Sequence, residues 1–218
     1  MKKVKFGIVG VGDFGVMHIQ ALKQLPEAEV HAVSCRTESR LKAICEKYKI
    51  PNWYTNVDDL MNDPEMDVII VATGEDTHYS FTEKAIREGK HVLLEKPICL
   101  NVEDGKKLLE LEQSTDLYIL PGHILRYDAS YNNAYRILQN EDMYGKILSI
   151  RVKRNVPIER FSLHSRTHPV FMALAHDIDI ITWLTNSRIK SVCGIQKKSK
   201  EEYRSPDIVF GIAEMENG

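Results

Sequence analysis

Little in this chain would tie it to a disulfide scaffold, a membrane or a polyanion. Among 218 residues there are only four cysteines, Cys35, Cys45, Cys99 and Cys193, widely scattered and without a C-x-x-C pair. That spacing speaks against a zinc site or a disulfide framework and for a cytoplasmic protein with reduced thiols. No apolar stretch approaches the roughly 18 residues of a membrane span. The opening Met-Lys-Lys and apolar run is broken by glycines and Asp13, and no small-residue cleavage site follows. It therefore reads as a strand rather than a signal peptide. Neither sign of charge dominates: 29 Lys and Arg stand against 31 Asp and Glu, a net charge of −2. Nucleic acid and anionic membrane thus have no electrostatic footprint here. Internal repeats and low-complexity segments are missing too. With 43% hydrophobic and 28% charged residues, the chain suits one large or two small domains with a real core.

The most informative feature that is present lies at the start. Val4 to Val9 is an apolar run interrupted only by Lys5 and Gly7, as in a strand buried on both faces of a parallel sheet. Gly10-Val11-Gly12-Asp13-Phe14-Gly15 closes it. Gly10 permits a tight turn, Gly12 lets a pyrophosphate approach the backbone, and Gly15 lets the next helix pack on the strand. The free N–H groups at the start of that helix, which spans Phe14 to Leu25 and stops at Pro26, meet the anion.

Strands and helices then alternate as in a doubly wound sheet. Strands are expected at Val30–Ser34, Trp53–Tyr54, Asp67–Ala72, His91–Glu95 and Leu117–Leu120, and helices at Glu38–Tyr48, around Leu60, at Thr77–Glu88 and after Asn101. Asn56 and Asn101 are N-caps, and Gly89 ends the Thr77–Glu88 helix. The expectation is an α/β chain: a Rossmann dinucleotide-binding domain over residues 1–121, then an α+β domain over 122–218. In that second part we expect a helix over Ala129–Gln139 and a long strand over Lys146–Val156. A polar Arg160–His168 loop follows, then a helix from Pro169 with an apolar stripe of Phe171, Leu174, Ile178, Ile181 and Leu184. Strands at Ile189–Gln196 and Ile208–Met215 make a mostly antiparallel open sheet that stops at Asn217-Gly218 and looks incomplete. Its edge, with unpaired backbone groups, should seek another copy of the chain, so a homo-oligomer is expected.

The glycine turn, Glu95-Lys96-Pro97, Gly122-His123-x-x-Arg126-Tyr127 and His176-Asp177-Ile178-Asp179 together resemble the Gfo/Idh/MocA oxidoreductases, which include glucose–fructose oxidoreductase and inositol dehydrogenase. Members are typically half as long again, so the resemblance implies either a fragment or an unusually short member. It implies a hydride transfer between a nicotinamide and a sugar, cyclitol or related small carbinol or carbonyl compound. Lys96 would bind the substrate oxygen and relay a proton, His176 would be its partner, and Asp179, one turn away, would orient the histidine. Lys96–Pro97 is expected as a cis peptide, and Glu95, Lys96, Thr73, Glu75 and His78 are expected near the cofactor. Gly74 stands where the family often has proline, and Met172 where inositol dehydrogenase-like members have an aspartate. That change leaves a Lys96/His176 pair equally suited to ketone or enone reduction.

Ordinary readings compete with these. Lys96 as a solvated loop lysine and His176 as a hydrogen-bonding interface histidine are the alternatives. His123, Arg126, Tyr127, Arg160, His164, Arg166 and His168 can line a substrate pocket, the arginines suiting a carboxylate or phosphate, or can simply be solvated. The end of the second strand, Ser34-Cys35-Arg36-Thr37, has no acid for a ribose diol. Ser34 or Thr37 with Arg36 fits a 2′-phosphate, which favours NADP over NAD, unless Arg36 is only a surface residue at a helix start. A non-catalytic dinucleotide-binding regulator of the same fold is the alternative function.

Overall fold

The computed structural model describes residues 2–157, 159 and 167–218, and the chain divides into two compact units, 1–122 and 123–218. In the first unit six parallel strands, β1 (Val4–Val9), β2 (Ala28–Ser34), β3 (Asn52–Tyr54), β4 (Val68–Val71), β5 (His91–Leu94) and β6 (Ile119–Pro121), stand in the order 3-2-1-4-5-6. The order reverses between β1 and β4, and the carboxyl ends flanking such a reversal are where open α/β sheets bind ligands. Five helices connect the strands: α1 (Asp13–Leu22), α2 (Glu38–Tyr48), α3 (Val57–Met61), α4 (His78–Arg87) and α5 (Val102–Gln113).

Both faces of the sheet are buried because alternate residues of one strand feed opposite layers. Val9, Ile69 and Val71 join Leu60, Met61, Ile86 and Leu108 on one side. Ile8 and Ile70 join Ile19, Leu22, Leu41 and Ile44 on the other. Each such aliphatic side chain contributes about 1.5–3 kcal/mol by leaving water. The expected caps are in place: Asn56 accepts from the Asp58 N–H at 3.0 Å and Asn101 from that of Asp104 at 2.8 Å. Gly89 (φ 75°) ends α4, with its own N–H bonded to Ile86 O and that of Lys90 to Ala85 O. This is the paired closure that a left-handed residue after a helix permits.

The second unit opens with a 3-10 turn, Ile124–Tyr127, and α6 (Ala129–Leu138), capped by the Asp128 carboxylate on the Ser130 and Tyr131 N–H groups. After the short α7 (Glu141–Tyr144), a π-helical turn, Val170–Leu174, leads into α8 (Ala175–Thr185), whose Trp183 stacks on Tyr135 of α6 at 4.3 Å. β7 (Ile189–Lys197) and β8 (Ile208–Met215) form an antiparallel pair. Together with the parallel sheet this is the expected fold class.

Two expectations here fail. Residues 146–156 form no strand, because among the described residues β7 and β8 bond to each other and neither receives that segment. The stripe on the later helix also differs. Ile178 is exposed, whereas Asp177, Asp179, Ile180 and Leu184 are buried. Two carboxylates can occupy the inward face because arginines neutralise them there.

Candidate functional site

The glycine turn lies at the carboxyl end of β1, beside the reversal in strand order. Gly10 (φ 92°) donates its N–H to Ser34 O at 2.8 Å, and a Cβ there would come within 2.4 Å of Ala72 O. A Cβ on Gly15 would meet Gly10 O at 1.9 Å, so this position serves the packing of α1 on the turn. Gly12 is different: its φ is an ordinary −71°, and a Cβ would meet nothing within 4 Å. Packing explains the glycines at 10 and 15 but not at 12, which opens on free space at the start of a helix with no side-chain cap. An anionic pyrophosphate fits that space and those N–H groups. Asp13 and Phe14 form the first turn, both exposed.

At the end of β2 the expected ribose-side residues separate. Ser34 is wholly buried and its Oγ has no hydrogen-bond partner, which turns it away from a ligand at the surface. Cys35 is half-buried, its thiol donating to Thr37 O at 3.4 Å, while Arg36 and Thr37 are exposed. The Thr37 hydroxyl does not cap α2, although Thr37 stands at its N-cap position.

Beyond β4, Thr73 Oγ1 and Thr77 Oγ1 lie 2.7 Å apart, and the Thr77 hydroxyl donates to Gly74 O at 2.8 Å. These bonds stiffen a loop that lacks proline at position 74, with Glu75 in the 3-10 turn that follows. His78, expected near the cofactor, is buried. Its Nδ1–H donates to Pro97 O at 2.6 Å and its Nε2 stands 3.3 Å from Thr73 O. The ring therefore links the two loops.

The loop after β5 carries Lys96, and the Lys96–Pro97 bond is cis. The Lys96 ammonium lies 5.9 Å from the centre of the Phe14 ring, above the first turn of α1. Glu95 is buried, with Oε1 2.8 Å from His18 Nε2 and Oε2 accepting the Lys96 N–H at 3.3 Å. Burial alone would raise the pKa of its carboxyl. The hydrogen bond and charge of His18, with the Lys96 N–H and charge, outweigh burial and hold it below the ordinary 4.5. Sequence reasoning missed His18, although its place three residues after the tightly packed Gly15 puts it on the sheet-facing side of α1.

In the second unit Asp179 engages Arg126 through both oxygens, at 2.6 Å to Nη2 and 3.0 Å to Nε. His123 Nε2 is 3.8 Å away, and its buried Nδ1 has no hydrogen-bond partner. Burial pushes the pKa of His123 down and Arg126 adds to that, against the pull of Asp179. Arg126 also lies over Trp183, 5.8 Å from the ring centre, whereas Tyr127 points into solvent. Asp177 takes the same two-pronged contact from Arg154, at 2.7 and 2.8 Å. Sequence reasoning did not single out Arg154, which sits in the segment expected as a strand. His168 accepts the Val170 N–H at Nδ1, so its Nε2–H donates to Gln196 at 2.8 Å. His176 and Met172 are half-buried. Arg160, His164 and Arg166 lie outside the described residues.

Residues 4–123 match the model of a family described as Gfo/Idh/MocA, an oxidoreductase family with an NAD-binding Rossmann fold. A curated relative, myo-inositol 2-dehydrogenase of Thermotoga maritima, is 25% identical over 191 residues, covering 87% of this chain and 57% of that enzyme. The chain thus spans little more than half the length of that relative. Among solved structures, myo-inositol 2-dehydrogenase from Lactobacillus plantarum superposes with a TM-score of 0.92 at 23% identity, over 100% of this chain and 68% of that one. Scyllo-inositol dehydrogenase from Lactobacillus casei, solved with NAD(H) and scyllo-inositol, gives 0.89 at 23% identity over 99% and 67%. At that identity these two likenesses concern the fold.

Proposed function

Since this chain belongs to the Gfo/Idh/MocA oxidoreductase family, with its NAD-binding Rossmann fold, we propose that it is a nicotinamide-dependent dehydrogenase or reductase acting on a CH–OH or carbonyl group of a cyclitol, a sugar or a related small molecule. The observation that carries this reading is the Lys96 ammonium over Phe14, on the helix at whose start Gly12 leaves open space. A bound nicotinamide would supply the hydride acceptor or donor. Hydride leaves a carbinol carbon only as its hydroxyl proton is removed, and Lys96 is the group proposed to hold the substrate oxygen and move that proton. His176 is the proposed second proton-transfer residue, and Asp179 a contributor to substrate binding. The cyclitol class rests on the names of the relatives, and Met172 widens it toward ketones.

For the cofactor the finer reading is a preference for NADP. Arg36 and Thr37 are exposed at the end of β2, where the first acid is Glu38 at the start of α2, and an exposed arginine there suits a 2′-phosphate. The NAD(H) bound by the Lactobacillus casei enzyme supports the opposite choice. Calorimetric titration decides: NADPH binding at least tenfold tighter than NADH, about 1.4 kcal/mol, is expected. The reading further places the protein in the cytoplasm, where its four free cysteines stay reduced, and assembles it with a second copy through the β7–β8 sheet.

Lys96→Met tests the function itself. Expected is a loss of turnover of about 100-fold or more, the scale of one acid–base group, with dinucleotide affinity retained. A parent protein that binds dinucleotide but turns over no alcohol or carbonyl in a broad panel would instead support a non-catalytic regulator.

A further inference from the structure

Glu95 joins two parts of the molecule that the reaction requires to be in register. Its carboxylate is buried at the end of β5, and both oxygens are used: Oε1 by the imidazole of His18 at 2.8 Å, Oε2 by the backbone N–H of Lys96 at 3.3 Å. His18 is itself little exposed, its side chain at 19%, and it sits one turn beyond Gly15 on the helix that begins at Gly12. A buried carboxylate without its donor swings toward another partner or takes up a proton. In either case it releases the N–H it had been holding. We propose that His18 is a positioning residue of this enzyme: through Glu95 it fixes the backbone of Lys96 and locks the pyrophosphate helix to the turn that carries the reacting ammonium. This rests on the assignment of Lys96 as the proton-transfer group.

The structure explains why a histidine suits the place. An imidazole one turn past the glycine loop is long enough to reach across to β5 and short enough to be held by the packing of α1. The titratable groups facing the Glu95 carboxylate are the His18 imidazole from α1 and Lys96 from its own loop. Pro97, the residue after Lys96, is anchored separately by His78 at 2.6 Å. His18 and His78 thus hold the lysine turn from opposite sides of one residue.

The test uses the full chain and two substitutions. His18→Leu removes the donor while keeping bulk, and His18→Gln keeps a donor. Five quantities are read: dinucleotide affinity by titration, kcat, KM, the titration of the Glu95 carboxyl followed by 13C NMR, and the Lys96 amide shift. Expected for His18→Leu is a Glu95 midpoint moved upward, a shifted Lys96 amide, kcat down at least tenfold and dinucleotide Kd within about threefold of the parent. His18→Gln should recover most of each change. The proposal is overturned if His18→Leu leaves the Glu95 titration and the Lys96 amide where they are. It is equally overturned if kcat and dinucleotide affinity fall by the same factor in both variants, the mark of a residue that only packs the helix. A parent without turnover would remove the enzymatic reading alone, because the two NMR quantities still report whether His18 fixes the turn.

Discussion

At the scale of single residues, the three glycines of the first turn make separable predictions. Gly15→Ala drives a methyl against Gly10 O at 1.9 Å and should abolish folding, seen as loss of a cooperative melt. Gly12→Ala meets nothing in the protein and has an ordinary φ, so the protein should still fold, at the roughly 1 kcal/mol that alanine costs at an N-cap. Its dinucleotide affinity should nevertheless fall at least tenfold, about 1.4 kcal/mol. An unchanged affinity would remove the pyrophosphate from this turn. Glu95 supplies a pH dependence. Its folded pKa lies below the ordinary 4.5, so the stability it contributes is complete above that value and is lost as pH falls through the lower one. Thermal melts should therefore show the stability gap between the parent and His18→Leu narrowing below pH 4.5.

At the scale of elements, much of the first unit was legible in the sequence, and the reasons are local. The buried strands are continuous apolar runs, Asn56 and Asn101 mark helix starts, and Gly89 marks an end. Gly89→Ala, at φ 75° in open space, should cost roughly 1 kcal/mol in a urea titration, from backbone strain alone. The second unit was less legible because its order depends on pairings between distant residues. Nothing in the sequence near α8 says that Asp177 and Asp179 turn inward, since the arginines that make this tolerable lie 23 and 53 residues away. Likewise the alternation over 146–156 predicts a strand only if a neighbour receives it. His18 escaped notice for the same reason, being 77 residues from Glu95. Arg126→Ala should destabilise the protein by about 3 kcal/mol by leaving Asp179 buried without its partner. Arg126→Lys should recover only part of that, since an ammonium cannot grip both oxygens.

At the scale of the whole molecule, the prediction concerns association. Cross-strand partners Cys193 with Ile212 and Ile195 with Phe210 share one face of the β7–β8 pair. Ile195, Phe210 and Ile212 are 73%, 65% and 80% exposed. Light scattering should find a dimer or larger species, and the double change Ile195→Lys with Ile212→Glu should return a monomer; a monomeric parent would refute the assembly. The sheet of the first unit has a different consequence. β1 is its central strand, paired with β2 on one side and β4 on the other, and the Lys5 N–H is held by Asp67, 62 residues further on. A ribosome releases β1 well before β4, so the central strand waits as an open ribbon while the chain lengthens. Slower translation between the two would prolong that wait, and holdase chaperones should bind nascent chains that carry β1 but not yet β4.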